Sequence, residues 1–170
     1  SIIDEGYLQN PYRAILIVKT GPGGLFYETS PERYPNTRNS DAFSLKLAYH
    51  LPWNAAIKTK VGHFSDSWGI DAFSVEADYT QKFFNRLLMD FRIRSYEQGA
   101  ASFYRSSFNE LSAQQNFVGR DKELSSYSNL SLGIGASYEW RFGRFVEKAR
   151  LNIQAEYLQF NYDNFLEVVD

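Results

Sequence analysis

The residues of this chain that could do chemistry are charged side chains placed at every second position of long alternating stretches. They are Lys46, Lys58, Lys60, Glu76, Asp78, Asp90, Arg92, Arg94, Glu139, Arg141, Arg150 and Glu156. Gathered on one surface, they could work in either of two ways. As the lining of a lumen they would select solutes by charge, with Arg92 and Arg94 favouring anions. As facing pairs of opposite sign they would neutralise one another and brace the interior. No catalytic constellation accompanies them, and the chain reads as a non-enzyme. The two histidines, His50 and His63, lie on opposite phases of alternation, which argues against a shared metal. Gly-x-Ser-x-Gly does not occur, and Gly21-Pro22-Gly23-Gly24 lacks the Lys-Ser/Thr of a phosphate loop and reads as a flexible loop. Asp66, Asp71, Glu110, Asp121 and Glu123 could hold Ca²⁺ at a cell surface, but solvated loop charge is the default, and neither a metal site nor a cofactor is expected. Cysteine is absent, which removes disulfides, thiolate metal sites and thiol nucleophiles. A net charge of −2 gives no electrostatic case for nucleic acid as a partner. Phe103, Tyr104 and Phe108, in a long polar segment, are candidates for docking a partner or folding into a lumen.

The elements that must position these charges are strands. From Ala42 to Leu51, Phe43, Leu45, Leu47, Tyr49 and Leu51 alternate with Ala42, Ser44, Lys46, Ala48 and His50. Period 2 places the two sets on opposite faces of a sheet. The same pattern spans Ala55–Phe64, Ala72–Phe83, Arg86–Tyr96, Tyr127–Arg141 and Ala149–Tyr162, with a seventh, weaker strand near Arg13–Lys19. Such stretches are about twice the usual soluble strand of 5–6 residues and match the 9–11 needed to cross a bilayer at a tilt. All five prolines fall between strands. Short turns near Pro52, Asn85 and Gly143 alternate with longer connections at Thr20–Thr37 and Glu97–Ser126. That asymmetry is characteristic of outer-membrane barrels.

Aromatic residues make up 17% of the chain. Tyr49, Trp53, Phe83, Phe84, Trp140, Phe142 and Phe145 gather at the short-turn ends; Trp68, Phe73, Tyr96, Phe103 and Tyr104 gather at the long-loop ends. Two girdles bounding an aliphatic band are what a barrel in lipid requires, with Trp53, Trp68 and Trp140 as interface anchors. Register can be anticipated too. Pairing residues whose numbers sum to 136 sets Lys60 against Glu76 and Lys58 against Asp78. A sum of 168 across the next turn sets Glu76 against Arg92, at the cost of Asp78 facing Asp90. The expected fold is therefore an all-β, antiparallel transmembrane barrel of the outer-membrane type. A soluble sandwich or lipocalin-like barrel, with its aliphatic face as core, is the alternative.

Five segments in order along most of the chain carry a family resemblance: Gly6–Arg13, Pro35–Arg38, Asp66-Ser67-Trp68-Gly69-Ile70, Tyr96–Tyr104 and Asp121–Ser125. In these the chain resembles the DUF3570 family, predicted bacterial outer-membrane β-barrels of uncharacterised function. The family segment carries an acidic pair before Trp-Gly, whereas here Ser67 follows Asp66. The resemblance implies residence in the outer membrane of a Gram-negative bacterium, with lipid and other envelope proteins as partners. It also implies that residues 1–170 form one partial barrel domain, roughly the C-terminal half, with N-terminal strands and a closing strand lying outside it. The functional expectation is a porin-like channel for small polar solutes or ions, or else a non-conducting scaffold in an envelope complex.

Overall fold

A computed structural model describes residues 2–5, 13–84, 86–140 and 148–165. In chain order the strands are β1 (Ile2–Glu5), β2 (Ala14–Gly21), β3 (Gly24–Pro31), β4 (Thr37–Leu51), β5 (Ala55–Asp66), β6 (Asp71–Phe83) and β7 (Leu87–Gln98). They continue with β8 (Phe108–Asn109), a single helical turn α1 (Glu110–Ala113), a 3₁₀ turn at Lys122–Leu124, then β9 (Tyr127–Trp140) and β10 (Ala149–Tyr162). The fold is all-β. Seven strands form one antiparallel sheet in the order β1-β4-β5-β6-β7-β9-β10, and β3-β2-β8 form a small second sheet.

The six long strands arise where alternation anticipates them. β4 and β7 run past the anticipated ends, and β10 has the anticipated bounds. The segment around Arg13–Lys19 does form a strand, but β2 pairs with β3 rather than joining the large sheet. Thr20–Thr37 is therefore no open loop. Nor is Gly21-Pro22-Gly23-Gly24 a flexible one: Gly21 pairs with Gly24 across a two-residue turn, and Gly24 takes φ +127°, a backbone shape closed to most side chains.

Strand β5 pairs with β6 in the anticipated register, Lys60 facing Glu76 and Lys58 facing Asp78. Between β6 and β7 the register differs by two residues from the one anticipated: Glu76 faces Arg94, and Asp78 faces Arg92. Both registers keep every side chain on the same face, so alternation cannot choose between them. Charge can. The observed register makes two opposite-sign pairs and moves Asp90 from Asp78 to Thr80, whose hydroxyl donates to Asp90 at 2.6 Å.

Among the described residues, no hydrophobic core backs the large sheet. On its apolar face Leu47 is 63% exposed and Ile153 61%, and Phe43, Leu45, Ile93 and Ile134 are also open. Apart from small residues such as Ala55 and Ser131, the buried residues lie elsewhere, in two adjoining clusters beyond the long-loop end. One contains Tyr34, Trp68, Ile70, Ala101, Phe103, Tyr104 and Leu124; the other contains Ile15, Ile17, Phe108 and Val118. These clusters form a cap. Phe64 and Ala72, on the charged side of the sheet, pack into or lie buried beside it, so the cap folds over that side.

Candidate functional site: a charged face beneath a loop cap

Each row of the charged face follows from the pairing. Across one row Ala48, Lys58, Asp78, Arg92, Gly133 and Glu156 stand side by side on β4, β5, β6, β7, β9 and β10. Signs alternate along it, from Lys58 to Asp78 to Arg92 and, across glycine, to Glu156. The Arg92 Nε donates to Asp78 Oδ1 at 2.6 Å, and the Ser131 hydroxyl donates to Glu156. The neighbouring row sets Lys46 against Lys60, then Glu76 and Arg94. Nearer the short turns, Arg150 donates to Glu139 at 3.0 Å. Eleven of the twelve charged candidates therefore share this face; Arg141 lies outside the described residues.

Glycine shapes the centre of this surface. A Cβ on Gly133 would lie 3.4 Å from Arg92 Cβ, and one on Gly135 would lie 3.5 Å from Asp90 Cβ. With no side chains on these two residues, the face lies open over β9, between Asp90 and Arg92, which bond Thr80 and Asp78 on β6, and Gln154 and Glu156 on β10. The result is an open cleft of about 540 Å³, lined by Lys58, Asp78, Asp90, Arg92, Gln154 and Glu156 among others.

The cap is built around Asp66, whose side chain is wholly buried. Its Oδ1 accepts the backbone N–H groups of Trp68 and Ile70 at 3.0 and 2.9 Å, closing the β5–β6 turn. Its Oδ2 accepts both Nε and a terminal nitrogen of Arg38, at 2.7 and 2.6 Å. The same guanidinium lies 4.8 Å from the Trp68 ring, a cation–π contact. Trp68 donates its indole N–H to the carbonyl of Thr37 and packs edge-on against Phe103 at 5.4 Å. The Ser102 N–H bonds the Trp68 carbonyl, and the Ala101 N–H bonds that of Leu124. Gln98 donates to the carbonyls of Glu123 and Ser125. Glu32, also buried, accepts from the Tyr34 hydroxyl and from the Arg120 N–H at 2.7 Å. Burial, reinforced by the bond to Glu32, raises the Tyr34 phenol well above the usual tyrosine range; burial also raises Tyr104.

Several sequence expectations change on this geometry. Phe103, Tyr104 and Phe108 are not a docking surface: their rings are buried inside the cap, Phe108 being only 1% exposed. Trp68 is not an interface anchor, for it is the centre of the cap cluster. Trp53 and Trp140 are exposed near the short turns, and Trp53 Nε1 reaches the Tyr79 hydroxyl at 3.4 Å. Tyr96 belongs not to an outer girdle but to the charged face, in phase with Arg92 and Arg94. Phe142 and Phe145 lie outside the described residues, as does the side chain of Glu110. Asp66 is neither a solvated loop charge nor a free ligand, since all its lone pairs are engaged by the turn and Arg38. Asp71 meets His63 at 3.0 Å, and Asp121 pairs with Arg13. Among the described residues no cluster of three metal-ligating side chains occurs. Glu32, Tyr34, Arg38 and Gln98 were not legible as cap residues.

Gly69 is where the cap tolerates least change. Its φ of +91° lies in the left-handed region, and an added Cβ would sit 3.3 Å from the Ser102 backbone nitrogen. Gly69→Ala is expected to destabilise the protein by about 1–3 kcal/mol, read as a lowered denaturant midpoint.

Four of the five segments that carry the family resemblance meet in this cap: Pro35–Arg38, Asp66–Ile70, Tyr96–Tyr104 and Asp121–Ser125. No curated protein and no solved structure matches the chain. The model of a family described as "Protein of unknown function (DUF3570)" matches residues 3–167.

Proposed function

We propose that this chain, which belongs to the DUF3570 family, forms part of an outer-membrane β-barrel whose charged face lines a pore for small polar solutes or ions. One observation carries the reading: six antiparallel strands of 12–15 residues keep their apolar face uncovered while the buried core lies in the cap. In water so large an apolar face would have to be covered, because each exposed Å² forgoes about 25 cal/mol. Lipid satisfies it without any covering element. No helix among the described residues is long and apolar enough to cross a membrane, so strands are the spanning elements in this reading. The edges at β10 and at β4, of which β1 pairs only Thr37–Ser40, then require pairing, since unpaired backbone groups are costly in hydrocarbon.

The pore reading is tested by conductance of the full-length protein in a planar bilayer. Stable ohmic steps are expected, and Arg92→Glu with Arg94→Glu is expected to move the ion preference from anions toward cations. Steps with unaltered selectivity would remove these arginines from the conduction path.

A second reading is a non-conducting barrel that scaffolds an envelope complex. It is favoured by the cap over one end of the charged face and by the alternating signs of the row from Lys58 to Glu156. Correctly folded, heat-modifiable protein that gives no steps would support it. A co-purifying envelope protein lost on shortening Glu97–Ser126 would support it further.

A further inference from the structure

The charged face carries a feature that charge neutralisation does not require. Tyr96 on β7, Tyr127 on β9, and Phe160 and Tyr162 on β10 stand on it as one contiguous aromatic strip just below the cap. Ring centroids are 5.5 Å apart for Tyr96 and Tyr127, and 5.4 Å for Tyr127 and Tyr162. Phe160 lies 6.3 Å from Tyr127 and stacks on Tyr162 at an interplanar angle of 14°. These rings are not sealed into a core: Phe160 is 52% exposed and Tyr162 38%, and Tyr96 and Tyr127 are half-buried. Leu158 continues the strip along the same face of β10 to Glu156. At a rise of about 3.4 Å per residue, the path from Tyr162 to Glu156 is about 20 Å long. It ends in the cleft between Asp78, Arg92, Gln154 and Glu156.

We propose that this strip and cleft bind a neutral oligosaccharide. The rings offer flat apolar surface for the C–H faces of pyranose units. The cleft offers carboxylate acceptors beside guanidinium and amide donors, which suit hydroxyl groups that both donate and accept. Near-balance of charge argues against a strongly ionic ligand, because the cleft sets Lys58 and Arg92 against Asp78, Asp90 and Glu156. This inference rests on the reading of the charged face as a solute-accessible lumen.

The test is calorimetric titration of the full-length protein, folded in detergent micelles, with maltohexaose. Saturable heat is expected. Phe160→Ala and Tyr127→Ala should each weaken it at least about tenfold, Tyr127→Phe, which keeps the ring, should weaken it far less, and Phe43→Ala, on the opposite face, should leave it unchanged. Heat-modifiable mobility on gels establishes that each variant is folded. No saturable heat with folded wild-type protein would overturn the proposal, as would heat unmoved by Phe160→Ala. Conduction is scored separately. Ohmic steps without sugar binding would retain the pore and remove the saccharide site, whereas binding with electrically silent bilayers would retain the site and remove the pore.

Discussion

Asp66→Ala is expected to lower stability by about 3–5 kcal/mol, the range for breaking a buried charged pair by removing one partner. The wholly buried carboxylate serves two backbone N–H groups of the β5–β6 turn and both arms of the Arg38 fork. Its loss leaves those donors without the buried carboxylate that serves them and leaves Arg38, itself only 22% exposed, against the rings of Phe64 and Trp68 without a paired charge. Because Trp68 bridges Thr37, Phe103 and Ser102, the damage should spread through the cap. Limited proteolysis should therefore cut Glu97–Ser126 much faster in the variant, while the strand content measured by circular dichroism stays close to wild type. Arg38→Lys should reproduce part of the effect, since an ammonium keeps the charge but loses the planar two-nitrogen contact and the stacking on Trp68. Unchanged proteolysis in both variants would mean that the cap is held from elsewhere.

Ile93→Arg is the second large effect. Ile93 sits mid-sheet on the apolar face, between Ala77 and Leu132, and is exposed. In a bilayer a guanidinium there is expected to cost about 2–4 kcal/mol, measured from urea unfolding of protein folded into vesicles. On the charged face one position away, Arg94→Gln should cost less than half as much, because a neutral polar group in a wet lumen needs no desolvation. A sheet whose apolar face stands open to water predicts the reverse ordering, an arginine there being nearly free and loss of the Glu76–Arg94 pairing the larger effect. A soluble sandwich with that face as core predicts a large cost for Ile93→Arg as well, and is distinguished by wild-type protein that folds without detergent. Ile93→Arg protein that remains folded and monomeric without detergent would retire the membrane reading.

The sequence alone was enough for the six long strands and for which of their side chains share a face. Both are local matters: a residue's side of a strand depends only on parity, so Lys58, Asp78, Arg92 and Glu156 could be grouped before any contact was known. Tyr96, Phe160 and Tyr162 share the phase of Arg94 and Glu156, yet position near the long-loop end assigns Tyr96 to a girdle, and parity outweighs that. Parity could not choose the β6–β7 register, because a shift of two residues preserves every face. Summed cross-strand energies decided that, favouring Asp78 with Arg92 and Asp90 with Thr80. The cap lay further out of reach. Its contacts join residues as distant in sequence as Glu32 and Arg120, or Arg38 and Asp66, within segments that have no hydrophobic period. Polar residues read one at a time look like solvated loop. Only folding brings them together out of water, where unpaired donors and acceptors are too costly to persist, and that cost selects the bonding pattern seen around Asp66.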